Sequence, residues 1–194
     1  MEFLIQPVGR VPLKPLKHLV ENLGSYFNAK CVLADRALPI PRSAYNEERD
    51  QYLSTQILYF LLVKAPKGFD RVLGVLDVDL YVPGLNFVFG EAEVTGKVAV
   101  ISLERLRPEF YGRKPDEKLF LERTLKEAIH ELGHTFGLRH CSNSRCIMYF
   151  SNSIIDTDRK GPDFCALCRE KLERRLWEIA RSKFLHKSFG YLFR

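Results

Sequence analysis

Hydrophobic residues along this chain of 194 recur with two different spacings, and the switches between them mark the elements. Phe3, Ile5 and Val8 make residues 1–8 a first strand. Leu16, Leu19, Val20, Leu23 and Phe27 follow at steps of three and four, which predicts a helix over 13–27. CVLA (31–34) reads as a short strand, and Pro39 and Pro41 make 35–46 a loop. Tyr52, Ile57, Phe60 and Leu61 predict a helix over 47–64. RVLGVLDVDLYV (71–82) is mostly apolar, the pattern of a strand covered on both faces. Pro83-Gly84 turns the chain, FVFGEAEV (87–94) alternates like an edge strand, and Thr95-Gly96 turns it again into KVAVISLERL (97–106). Strands and helices interleave, so the fold class is α/β or α+β with a mixed sheet.

Pro108 and Gly112 mark the next loop, and Pro115-Asp116-Glu117 then starts a helix, with proline in the first turn and acidic groups where the helix dipole favours them. Leu121, Leu125, Ala128, Leu132 and Phe136 form one buried stripe, which ends at Gly137 as a C-terminal cap. No repeat, low-complexity tract or linker divides the chain, and its length suits one domain. The expected layout is a single domain over 1–194. Within it, 1–137 carries the sheet and the long helix, and 138–194 forms a small C-terminal subdomain.

Hydrophobic residues at 46% and charged residues at 28% describe an ordinary globular protein. No run approaches the roughly 18 apolar residues of a membrane span. The start, MEFLIQPVGRVPLK, has neither a basic n-region nor a small-residue cleavage site, so a cytoplasmic location is expected, where cysteines stay reduced. Of the net charge of +6, residues 169–194 carry +5, from eight Lys or Arg against three Glu. Without blocks of like charge this reads as a solvated helix face rather than a nucleic-acid footprint. Asp77 and Asp79 invite a cation site, but ordinary strand-end polar contacts are the expectation.

The chemistry is concentrated in HELGHTFGLRHCSNSRCIMYFSNSIIDTDRKGPDFCALC (130–168), which holds three of five histidines and four of five cysteines. His130 and His134, four apart on the helix, set two imidazoles on one face within reach of a single ion. Glu131 projects beside them, placed to hold a metal-bound water without being a ligand. Gly137 stops the helix, and His140 returns from another direction as the third ligand, leaving one corner open. Three neutral imidazoles leave zinc its full charge, which lowers the pKa of a bound water to about 7. Glu131 then serves as the base. Cys146-Ile147-Met148-Tyr149 follows, and Met148 can supply a soft apolar floor rather than a ligand. Cys141, Cys146, Cys165 and Cys168 form two close pairs, the spacing of a structural Cys₄ zinc site with no open position. The linker 149–164 reads as polar and irregular, ordered by that zinc. Cys31 is a small core residue.

The run from His130 to Cys168 resembles the archaemetzincins, a family of metzincin-type zinc proteases, and residues 77–106 resemble the family's central region. That resemblance implies a compact metzincin-like fold: a mixed twisted sheet over two helices, an active-site helix and a zinc-stapled C-terminal subdomain. It implies a zinc-dependent peptidase, with His130, His134 and His140 holding the catalytic zinc, Glu131 as base, Met148 in the family's methionine turn and the four cysteines on a second zinc. The sixteen residues between Met148 and Cys165 are one fewer than in the family pattern, and Phe150 stands where some metzincins carry a tyrosine two residues after the turn methionine. Tyr149 therefore receives no role.

The expected function is hydrolysis of peptide bonds, by an aminopeptidase or an endopeptidase, with a peptide or protein as partner and strand 87–94 pairing with it. The competing reading is a zinc-stabilised binding module for protein or nucleic acid. Glu131 argues against it, because a closed structural site gains nothing from a carboxylate beside an open metal position. Neither membrane nor nucleic acid is expected as a partner, and a monomer is the default.

Overall fold

The computed structural model describes residues 1–189. Five strands form the main sheet, in the order β2 (Lys30–Leu33), β1 (Glu2–Pro7), β5 (Arg71–Leu76), β8 (Val98–Ser102) and β7 (Gly90–Ala92). The first four are parallel, and β7 alone runs antiparallel, at the edge. Every residue of β5 and β8 is buried, as the apolar run over 71–82 predicted for its first half.

Alternation along the central strands splits the core in two. Phe3, Ile5, Leu73, Val75, Ala99 and Ile101 face α1 (Leu13–Phe27) and α3 (Glu117–Thr135). Leu4, Val72, Leu76, Val98 and Val100 face α2 (Ser54–Lys64) on the other side. The sheet is thus covered on both faces, which is why its parallel strands carry so few polar residues.

Three expectations need correction. Residues 47–64 are not one helix. Asp50 takes a left-handed conformation (φ 50°), and β4 (Gln51–Leu53) pairs with β3 (Tyr45–Asn46) and β6 (Leu80–Tyr81) in a second small sheet. The Gln51 amide donates to Asp79 and to the Asn86 carbonyl at 2.9 Å each, long-range bonds that outweigh local helix preference. The strand predicted over 71–82 breaks after Leu76, where Arg107 pairs with Asp77, and Arg105 grips Asp79 through two contacts of 2.6 Å. Those pairs satisfy both aspartates, so the strand-end polar reading holds. Finally, 149–164 is not irregular throughout: it contains α4 (Ile154–Arg159), whose start carries a capping box between Ser153 and Asp156.

Helix α3 starts at Glu117, two residues later than a helix with Pro115 in its first turn. Asp116 is the N-cap, its side chain accepting from the Leu119 N–H at 3.0 Å, and Pro115 lies outside the helix. At its other end Gly137 has φ 85°, a left-handed conformation that favours glycine. The Leu138 N–H reaches back to the Gly133 carbonyl (3.2 Å) and the Gly137 N–H to that of His134 (2.8 Å), the Schellman arrangement.

The long helix α5 (Ala166–Phe189) begins at the second cysteine pair, and its Leu172 joins the core on the α1/α3 side. The last five residues of the basic stretch 169–194 lie outside the described residues. Among the described residues no helix is long and apolar enough to cross a membrane.

Candidate metal centres

His130 and His134 lie on the buried face of α3, and the turn after Gly137 brings His140 to them. One nitrogen from each of the three lies within 4.8 Å of the others. The second nitrogens fix the tautomers. His130 Nδ1 meets the Ile147 carbonyl at 2.8 Å and His134 Nδ1 meets the Leu138 carbonyl at 2.7 Å. A carbonyl only accepts, so each Nδ1 carries the proton and each Nε2 presents a lone pair. Those two Nε2 atoms face each other at 3.2 Å. Two lone pairs so close repel unless a cation lies between them, and ligands about 2.0–2.1 Å from a tetrahedral zinc stand about 3.3 Å apart. Burial holds the His130 imidazole well below its ordinary pKa and lowers that of His134 and His140, with Lys160 adding to each shift. Neutral imidazole is the form that binds a metal.

Glu131 is buried, with Gly90 of β7 directly against it. A Cβ added at Gly90 would stand 2.7 Å from Glu131 Cγ and 2.9 Å from Oε1. Burial pushes the Glu131 carboxyl well above its usual range, the Glu127 carboxylate pushes it further, and Lys160 opposes both. Met148 is fully buried, and its sulfur lies where a Cβ at Gly133 would come within 2.6 Å. The Met148 segment therefore packs under α3 because residue 133 has no side chain. It also supplies the Ile147 carbonyl that orients His130.

Sequence reasoning singled out neither Gly90 nor Gly133. A glycine inside a strand and another inside a helix were the available signals, since each weakens its element unless something approaches closely.

These groups open onto a cleft of about 250 Å³, lined by Gly90, Ala92, Glu131, the three histidines and an apolar wall that includes Phe87 and Phe89. The Phe89 carbonyl and Glu93 N–H bond to β8. By the alternation of an antiparallel ladder, the backbone groups of Gly90 and Ala92 point outward from the sheet. Phe150 lines the cleft and packs on His140, with ring centroids 4.7 Å apart. Tyr149 is not part of the lining.

The four cysteines form a second cluster, their sulfurs all within 4.8 Å of one another and none in a disulfide. Cys141 and Cys165 sulfurs lie 3.8 Å apart. That equals the edge of a tetrahedron with Zn–S of about 2.3 Å, about 3.8 Å, and far exceeds the roughly 2.05 Å of a disulfide. The Cys168 backbone N–H pulls the Cys165 thiol down to about 7, whereas burial raises Cys146 and Cys168. Cys31 stands apart, its thiol pushed up to about 11 by burial, as suits a core residue.

A model of peptidase family M54 matches residues 25–174. The archaemetzincin of Methanocaldococcus jannaschii is 51% identical over 175 residues, covering 90% of this chain and 94% of its own length. The crystal structure of archaemetzincin from Archaeoglobus fulgidus is 42% identical and superposes with a TM-score of 0.77, covering 88% of this chain and 99% of its own. That from Methanopyrus kandleri is 41% identical with a TM-score of 0.78, covering 91% and 95%.

Proposed function

This chain belongs to peptidase family M54 and is a zinc metallopeptidase, and we propose that its cleft hydrolyses peptide bonds with His130, His134 and His140 as zinc ligands and Glu131 as general base. The observation that carries the reading is the pair of Nε2 lone pairs held face to face at 3.2 Å, with a buried carboxylate beside them in an open cleft. Zinc, when bound there, supplies Lewis acidity, polarising a carbonyl and acidifying water.

The chain's own groups do the rest. The carbonyls of Ile147 and Leu138 hold the imidazoles in the ligating tautomer. Glu131 takes the proton of the attacking water and passes it to the leaving amine. Gly90 lets that carboxylate lie against the strand. The outward backbone groups of Gly90 and Ala92 receive an extended substrate as an added strand. Met148 floors the site. Cys141, Cys146, Cys165 and Cys168 hold a second, structural zinc with no open corner, giving two ions per chain. Four reduced thiols suit a cytoplasmic setting.

A peptide library incubated with and without chelator, alongside Glu131→Gln, tests the assignment. The wild type should cleave, lose activity on chelation and regain it with zinc. The variant should keep both metals and lose turnover by about 10²–10⁴-fold. A Glu131→Gln enzyme as fast as wild type refutes the role of the base. A wild type that holds zinc and cleaves nothing favours a binding module.

A further inference from the structure

The face of α3 that looks into the cleft reads Glu127, His130, Glu131, His134, at steps of three and four. Glu127 has no part in the chemistry above. It is buried, and so is the group that compensates it: the Lys160 ammonium lies 2.8 Å from Glu127 Oε1. The Thr157 hydroxyl donates to the same oxygen at 3.1 Å. Lys160 itself is fully buried and not part of the cleft surface, and its ammonium has no well-aligned hydrogen bond among the described residues. Ser151 also lines the cleft, and its hydroxyl oxygen is buried and has no partner among the described residues. The other non-catalytic carboxylate in the lining, Glu91, is occupied by the hydroxyls of Ser54 and Thr55 at the start of α2.

We propose that Glu127 and Ser151 form the polar floor of a side-chain pocket that selects substrates with a carboxamide side chain, asparagine or glutamine, next to the scissile bond. The inference rests on the peptidase reading above and names the substrate class for the same cleft.

Position comes first. Glu127 lies about 6 Å from Glu131 along the helix axis, at 1.5 Å per residue. Successive residues of an extended substrate advance about 3.3 Å each. The side chain beside the scissile bond, on the Glu131 side, therefore spans the gap.

Charge narrows the occupant. Glu127 and Lys160 together are neutral. A cationic side chain would add an uncompensated charge beside Lys160, and an acidic one would meet the Glu127 carboxylate. An apolar side chain would return no hydrogen bond to the Glu127 carboxylate or the Ser151 hydroxyl, the situation in which a polar site rejects an apolar analogue. A carboxamide brings an NH₂ donor for Glu127 and a carbonyl acceptor for the Ser151 hydroxyl, while its methylenes rest on the apolar wall of Phe87 and Phe89.

The test uses the zinc-loaded enzyme and matched peptides in which each residue flanking the cleaved bond is varied among Gln, Asn, Leu, Met, Glu and Lys. At one flanking position Gln or Asn should exceed Leu and Met by at least about tenfold in kcat/KM. Ser151→Ala should shrink that ratio severalfold. The double substitution Glu127→Leu with Lys160→Met removes both buried charges and the acceptor together and should bring the ratio close to one. Zinc content and urea midpoints show whether each variant is folded, and the wild-type ratio stands whatever the variants do. Preference for Leu, Met, Glu or Lys at both positions overturns the pocket while leaving the peptidase reading intact. A wild-type ratio unchanged in both folded variants does the same. No cleavage of any peptide removes the peptidase reading and the pocket with it.

Discussion

Gly133 sits between the two histidines of α3, where a glycine weakens a helix by about 1 kcal/mol relative to alanine. Its lack of a side chain lets the Met148 sulfur rise to within 2.6 Å of where a Cβ would be. Gly133→Ala should therefore gain helix propensity and still lose stability. Overpacking of this kind costs about 1–3 kcal/mol, read as a lower urea midpoint, and the displaced Met148 turn should loosen the Ile147 carbonyl from His130 and weaken zinc retention. A Gly133→Ala protein more stable than wild type, with zinc affinity intact, would show that the turn does not press on the helix. The same logic reaches Gly90. A side chain there meets the Val100 carbonyl at 2.5 Å and Glu131, so it should disturb the proposed base rather than the histidine cluster.

Between Met148 and Cys165, α4 changes what a structural zinc on the four cysteines would have to do. The segment has its own anchors: the capping box, Ile154 buried against Phe89 and Leu106, and Arg123 gripping Asp158 through contacts of 2.7 and 2.8 Å. Cys165→Ser should remove the second metal and lower thermal stability strongly, because binding free energy at such sites is folding free energy. Hydrogen exchange should rise most at 141–148 and at the start of α5, and least in α4. Equal loss of protection across 149–164 would mean that the zinc alone orders the segment. Ser153→Ala should cost about 1 kcal/mol through the lost cap, and the effect should stay local to α4.

Across the whole molecule the two candidate metal centres share one hydrophobic core. Phe3 and Phe27 from the first strand and helix, Ile129 and Leu132 of α3, Met148 of the turn, and Phe164, Cys168 and Leu172 of the C-terminal segment all belong to it. Zinc content should be two per chain. The histidine site opens onto the cleft and should yield first to a chelator, while the cysteine site is closed and should resist. Stripping only the first ion should abolish turnover with little change in melting temperature. Stripping both should lower it markedly. A single zinc by elemental analysis, with the cysteines oxidised in pairs, would remove the second centre.

The sequence alone determined what depends on local spacing. Helical steps marked α1 and α3, and the apolar run marked β5 as doubly covered. The spacing of His130, His134 and His140, and of the four cysteines, named the candidate donors without reference to the fold, because an i, i+4 pair and a close cysteine pair can meet a common ion through local geometry. Residues 47–53 were illegible, since Gln51 and Arg49 bond to partners some 30 residues away and those bonds override helical periodicity. The alternation over 87–94 already marked an edge strand, but its antiparallel sense, against a β8 that pairs with β5 on its other side, waited for the structure. The glycines at 90 and 133 carry no chemistry of their own, so their spacing gave no reason to single them out. Their role is the space they leave for Glu131 and Met148, and that exists only after the strand and the turn have packed on α3. The same holds for the Glu127–Lys160 pair: 33 positions separate the two charges, and only the return of the chain after α4 brings them to one buried spot beneath the cleft.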